Sequence, residues 1–237
     1  GIVEELLFFI SGDTDTLKLE EKGVKIWAGN TSEEFIRSQR LPYRRGEMGP
    51  MYGYQWRFFG KPYVPLESRK FHAPDSFVNS IDQLSEVITE IRTNPASRRL
   101  LVTDFNPAQA KKGVLFPCHS IILQFYVEGE NLSMFCYNRS SDLFLGLPFN
   151  IASSSLLLVI IAKLTDKIPT FLHLHLGDAH IYEAHVEAVK TQLSRLPFPL
   201  PTLKIVKPFQ SLDDVTEDCF ELSDRVSHPA IKAEMIA

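Results

Sequence analysis

Between Asn150 and Leu164 the chain is apolar on nearly every face of a helix, and from Leu156 to Ala162 no polar residue interrupts it. A helix without a polar stripe cannot lie on a surface and has to be surrounded. The remaining elements must therefore wrap around this one. The uninterrupted run falls far short of the ~20 apolar residues a membrane span needs, so burial inside the protein is expected and no membrane partner. The chain has 237 residues, 44% hydrophobic and 23% charged, enough to build a core around that helix. No linker-like stretch or internal repeat divides it, so a single domain over residues 1–237 is expected. Gly1–Ile10 carries two acids and no basic residue, unlike a signal peptide. Three cysteines point to reduced thiols and a cytoplasmic protein. A net charge of −4 gives no support to broad nucleic-acid binding, so no DNA partner is expected.

The apolar spacing predicts a helix over Ile2–Ile10, stopped at Ser11-Gly12. Thr31-Ser-Glu-Glu34 and Ser80-Ile-Asp-Gln83 fit capping boxes, the second opening a helix with Leu84, Val87, Ile88 and Ile91 on one face. The period then changes. Arg99–Phe105, Ser120–Val127 and Leu132–Tyr137 are β-branched and aromatic, the last two flanking a hairpin turn at Glu128-Gly-Glu-Asn131. Phe171–Leu176 and Leu203–Val206 read as strands and Tyr182–Leu193 as an amphipathic helix. The fold class is α/β of the α+β type, a mixed sheet with an antiparallel component packed by helices.

Chemistry has three candidate locations. Cys118, in Phe116-Pro-Cys-His119 at the start of a strand, is either a nucleophile whose pKa a nearby cation lowers or a buried structural cysteine. His119 would point to the opposite face of that strand. Cys136 and Cys219 sit in apolar contexts and read as structural. Tyr137-Asn-Arg-Ser-Ser-Asp142, followed by Leu145-Gly-Leu-Pro-Phe-Asn150, crowds polar residues at the end of an apolar strand. Arg139 and Ser140 suit a phosphate, and Asn150 is either a helix cap or a ligand contact. Arg98 and Arg99 suggest an anion site or simply surface charge. The third location holds four histidines between His173 and His185. Their spacing matches no metal motif, whereas His180 and Tyr182 could reach a sugar hydroxyl. Trp27 and the Tyr52–Trp56 segment offer either core packing or a stacking surface for a planar heterocycle.

Taken together these clusters resemble the thymidylate synthase family. The matching strings, in the family's order, include Glu5-Leu-Leu, Ile26-Trp27, Gly49-Pro-Met-Tyr-Gly-Tyr-Gln-Trp-Arg57, Asn94-Pro-Ala-Ser-Arg-Arg99, Pro117-Cys-His119, Arg139-Ser-Ser-Asp142, Leu145-Gly-Leu-Pro-Phe-Asn-Ile-Ala-Ser153 and Gly177-Asp-Ala-His-Ile-Tyr182. The resemblance implies reductive methylation of dUMP by 5,10-methylenetetrahydrofolate, giving dTMP and dihydrofolate, with no metal. It implies that Cys118 adds to C6 of uracil, with Arg139 near both thiolate and phosphate and depressing the thiol pKa. By the same resemblance Asn150 pairs with the pyrimidine edge, Glu5 organises proton transfer near O4, and Tyr52 serves removal of the C5 proton. Ser140 and Asp142 belong to the dUMP site, and His180 and Tyr182 contact the ribose. Folate is implied to lie against Ile26, Trp27, Leu145, Gly146 and Phe149, with Asp142 bonding its pterin and Ala237 closing over it. Arg98 and Arg99 match a pair lent to the other subunit's phosphate. This implies a homodimer formed through a sheet face.

The family's usual N-terminal segment, with a further phosphate-binding arginine, has no counterpart before Glu5. Asn138 stands where glutamine is usual and Phe105 where tryptophan is. The alternatives are a deoxypyrimidine nucleotide hydroxymethylase, which shares the cysteine and the folate, and a non-catalytic homologue. A place in a dihydrofolate reductase–thymidylate synthase fusion is a further possibility. Asn150 favours uracil over cytosine, because an amide can match O4 and N3–H together whereas a carboxylate only accepts.

Overall fold

The computed structural model describes residues 1–71 and 80–236. Seven helices are described: α1 (Ile2–Ile10), α2 (Leu17–Glu21), α3 (Glu33–Ser38), α4 (Gly53–Phe58), α5 (Gln83–Thr93), α6 (Gly146–Leu164) and α7 (Val186–Leu193). The main sheet runs β1 (Leu101–Thr103), β2 (Ile122–Glu128), β3 (Asn131–Asp142), β4 (Ile168–His180), and a second pairs β5 (Thr202–Ile205) with β6 (Phe220–Ser223). Strand β2 runs antiparallel to both of its neighbours, β1 and β3, whereas β3 and β4 are parallel, joined through α6. This is the expected mixed sheet.

Helix α6 occupies the centre. Leu156, Leu157, Leu158, Ile160, Ile161, Ala162 and Leu164 are buried, and the helix packs on β3, β4 and α1. By length and composition α6 is apolar enough to cross a membrane, but here those side chains meet the inner face of the sheet, where Leu123, Phe125, Leu132, Met134 and Cys136 are also buried. Helix α1 spans the predicted residues, and α5 buries the predicted Leu84, Val87, Ile88 and Ile91. The hairpin pairs Glu128 with Asn131, and Gly129 supplies the positive φ of 61° that its turn requires.

Several boundaries differ from the sequence reading, each for a local reason. The cap of α3 is Ser32, whose hydroxyl accepts the Phe35 N–H at 3.2 Å. Thr31 is buried instead, donating to the Trp27 carbonyl. Likewise Asp82 caps α5 by accepting the Ser85 N–H at 3.1 Å. Helix α6 begins at Gly146, so Asn150 is its fifth residue and not a cap; Asp142 holds the preceding Phe144 and Leu145 N–H groups. The segment from Cys118 to Ser120 precedes β2 and is not strand, so the alternation expected to turn His119 away does not apply. Strands β3 and β4 run well past their apolar cores into polar residues, and α7 is preceded by a 3-10 turn at Glu183–His185.

Candidate active site

The loop carrying Cys118 is held from three sides. Tyr52, at the entry to α4, brings its hydroxyl within hydrogen-bonding distance of the Cys118 sulfur, at 3.4 Å. Arg139 of β3 donates from Nε to the Pro117 carbonyl at 3.0 Å, with its guanidinium 5.2 Å from the Phe116 ring centre. The neighbouring Ser140 N–H donates to the Cys118 carbonyl at 3.2 Å. Gly53 makes the Tyr52 position possible, because a Cβ there would lie 2.0 Å from the Phe9 carbonyl oxygen of α1. Tyr52 and Ser120, on either side of the thiol, take φ values of 40° and 54°, a left-handed backbone that non-glycine residues rarely adopt. The Tyr52 ring is buried and stacks on His119 with centroids 4.3 Å apart. His119 thus lies on the Tyr52 and Cys118 side of the loop. Burial lowers its pKa to about 4, leaving it a weak base.

The net effect on Cys118 runs opposite to the sequence expectation. Burial raises the thiol pKa most, the Tyr52 hydroxyl opposes it, the Asp104 carboxylate adds to it, and the Arg139 charge lowers it. Arg139 acts in the implied direction, but desolvation prevails.

Parallel pairing of β3 with β4 assembles the rest. Ser140 lies opposite Asp178 and Asp142 opposite His180, whose carbonyl accepts the Leu143 N–H. Gly177 permits this approach, because a Cβ there would fall 2.6 Å from the Arg139 carbonyl oxygen. His180 and Tyr182 meet edge to face at 5.1 Å. Beyond Asp142, Leu145 and Gly146 are half-buried, while Phe149 is left 44% exposed and Asn150 half-buried on the first turns of α6. Trp27 packs on Tyr52, ring centres 5.9 Å apart, and donates from its indole to Glu5 Oε1 at 2.8 Å, with Ile26 half-buried beside it.

Glu5 is set up to hold a proton. Burial raises its pKa to about 7, and the Trp27 hydrogen bond only partly offsets this. In the unfolded chain the group ionises near 4.5, so between about pH 4.5 and about pH 7 the folded state binds more protons. Its contribution to stability is therefore present at low pH and lost as pH rises through that window. Against the Glu5→Gln variant, the melting temperature of the unaltered protein is expected to fall from about pH 5 to about pH 8. Parallel melting curves across that range would contradict this.

Arg98 and Arg99 are exposed and are not joined to this cluster; Arg99 lines a separate groove along α5 with Glu86 and Leu101. Ala237 lies outside the described residues. The four histidines disperse, with His173 and His175 exposed on β4, His180 at its end and His185 buried. Sequence reasoning gave His185 no part beyond that cluster, yet its Nε2 meets the Glu234 carbonyl at 2.8 Å and ties the C-terminal segment beside Asp142. It also passed over Asp104, a buried acid whose charge reaches Cys118.

Comparison with known proteins gives the class of enzyme first, a methyltransferase of nucleotide biosynthesis. Residues 1–237 match the family model described as thymidylate synthase, and the chain belongs to that family. It is similar to the thymidylate synthase of Equine herpesvirus 2, at 46% identity over 99% of this chain and 79% of that protein. The human thymidylate synthase is 44% identical over 99% of this chain and 73% of its own length. A bifunctional dihydrofolate reductase-thymidylate synthase of Zea mays is 44% identical over 99% of this chain, which spans 44% of that protein.

Proposed function

We propose that Cys118 is the nucleophile in reductive methylation of dUMP to dTMP, with 5,10-methylenetetrahydrofolate as co-substrate and dihydrofolate as the second product. The observation that carries this reading is the partly buried Cys118 thiol 3.4 Å from the Tyr52 hydroxyl, on a loop anchored by Arg139. A thiolate there adds to C6 of uracil, forming the S–C6 bond while the C5–C6 π electrons move toward O4. Arg139 faces the nucleotide phosphate, joined by Ser140, and Asp142, His180 and Tyr182 complete the dUMP site along the ends of β3 and β4. Asn150 pairs with the pyrimidine edge, half-buried and without a side-chain hydrogen bond among the described residues. Glu5, near neutrality in its pKa, relays protons toward O4. Tyr52 takes part in removing the C5 proton. The folate supplies the one-carbon unit and the reducing hydride. Trp27, Ile26, Leu145, Gly146 and the exposed Phe149 offer a planar ring system an apolar shelf, and Asp142 offers an acceptor for its N–H groups.

The reading extends to a homodimer. The outer face of the main sheet carries Tyr126, Phe135 and Phe171 at 66%, 41% and 64% exposure, beside His173 and His175. Such an aromatic face calls for a partner surface. A second copy seated there would explain why Arg98 and Arg99 stand free of their own chain's Cys118. The free thiols of Cys118, Cys136 and Cys219 accord with a cytoplasmic location.

Asn150→Asp tests the nucleotide assignment. An ionised carboxylate accepts from cytosine's amino group but has no donor for O4 of uracil and repels it. kcat/KM for dUMP is expected to fall by about 100-fold or more while binding of dCMP improves. Unchanged discrimination between the two nucleotides would remove Asn150 from the pyrimidine site.

A further inference from the structure

One ionisable side chain beside the nucleophile has no part in the steps above. Asp104 follows β1, its N–H donating to the Ile121 carbonyl at 3.4 Å. It is 1% exposed, and neither carboxylate oxygen has a hydrogen-bond partner among the described residues. Burial pushes its carboxyl well above the ordinary carboxylate range, and when ionised its charge raises the pKa of Cys118, Tyr52 and Cys136. Cys136 in turn is buried against Asn138, at 3.5 Å from Oδ1, and Ser154. A lone carboxylate in such surroundings is costly, and so is a thiolate close to it.

The groups facing this compartment add little to relieve that cost. Burial holds the Tyr52 phenol and the Cys136 thiol in their protonated forms, and His119 is neutral. Arg139, on the exposed side of β3, is the charged group that favours the Cys118 thiolate. One fixed cation at the rim offsets one negative charge better than two.

We propose that Asp104 and Cys118 share a single negative charge, so that Asp104 is a positioning residue controlling how much Cys118 thiolate is present. As the Cys118 S–H bond breaks, an O–H bond forms on Asp104. The proton count and the net charge of −1 are conserved, whether the proton passes between them or through solvent. An ionised Asp104 keeps the sulfur protonated, and a protonated Asp104 releases it.

This rests on Cys118 being the nucleophile. The test uses neither nucleotide nor folate, so its failure is separable from failure of that assignment. It is the pH dependence of iodoacetamide alkylation at Cys118, located by peptide mass, in the full chain. Asp104→Asn removes the charge and keeps the shape. Its alkylation profile is expected to move about one pH unit lower, which is about tenfold more thiolate at neutral pH. The observed rate there should rise about threefold, because a less basic thiolate is a poorer nucleophile. Asp104→Ala should move the profile the same way, which keeps the test decisive if the asparagine variant packs poorly, and Asp104→Glu should restore the unaltered profile. An unchanged profile in the charge-free variants, or slower alkylation, would overturn the proposal.

Discussion

Replacing Cys118 by serine is expected to lower turnover on the order of 10⁴-fold or more, with little change in thermal unfolding. The size of the loss follows from the nucleophile's chemistry. Cys118 reaches its thiolate against desolvation, helped by the Tyr52 hydroxyl and Arg139. A serine hydroxyl starts many pKa units higher, and the histidine beside it is no substitute base because burial holds its pKa near 4. The fold has little at stake, since a serine hydroxyl can reproduce the sulfur's hydrogen bond with Tyr52. Turnover within tenfold of the unaltered enzyme would remove Cys118 from the mechanism.

The second large effect concerns the arginines. Arg98→Ala and Cys118→Ala proteins are each expected to be inactive alone, yet a mixture that exchanges subunits should recover about a quarter of full activity. Half the dimers at equilibrium are hybrids, and each hybrid rebuilds one intact site of two, from the cysteine of one chain and the arginine of the other. The structure motivates the test because Arg98 and Arg99 are exposed away from the cluster around Cys118, while the aromatic face of the sheet is exposed among the described residues. Hybrids that form, as shown by mass or by tagged pull-down, but stay inactive would place the arginines outside the shared site.

Much of the fold was legible because periodicity carries it. The alternation of Leu132, Met134 and Cys136 and the helical spacing of Leu84, Val87, Ile88 and Ile91 report burial directly. Legibility ends where backbone pairing continues without apolar side chains. The polar half of β3 from Asn138 to Asp142, and β4 from Gly177 to His180, hold their strand geometry by pairing with each other, which no local pattern reveals. The same limit hid β6, whose short run pairs with β5 across the fourteen residues 206–219. Helix caps were misplaced by one or two residues because Thr31, Ser32, Ser80 and Asp82 are all competent caps and only tertiary packing selects among them. At the candidate site, motif recognition singled out Cys118, Tyr52 and Arg139, which the structure brings together. It could not anticipate that desolvation would outweigh Arg139 at the thiol, nor that an acid would be buried behind it. Those are properties of the whole environment rather than of any string of residues.

The central claim is tested most directly by incubating the purified chain with dUMP and 5,10-methylenetetrahydrofolate and identifying both products, the folate by its ultraviolet absorbance and the nucleotide by mass. Equal amounts of dTMP and dihydrofolate are expected. A hydroxymethylated nucleotide accompanied by tetrahydrofolate would contradict it.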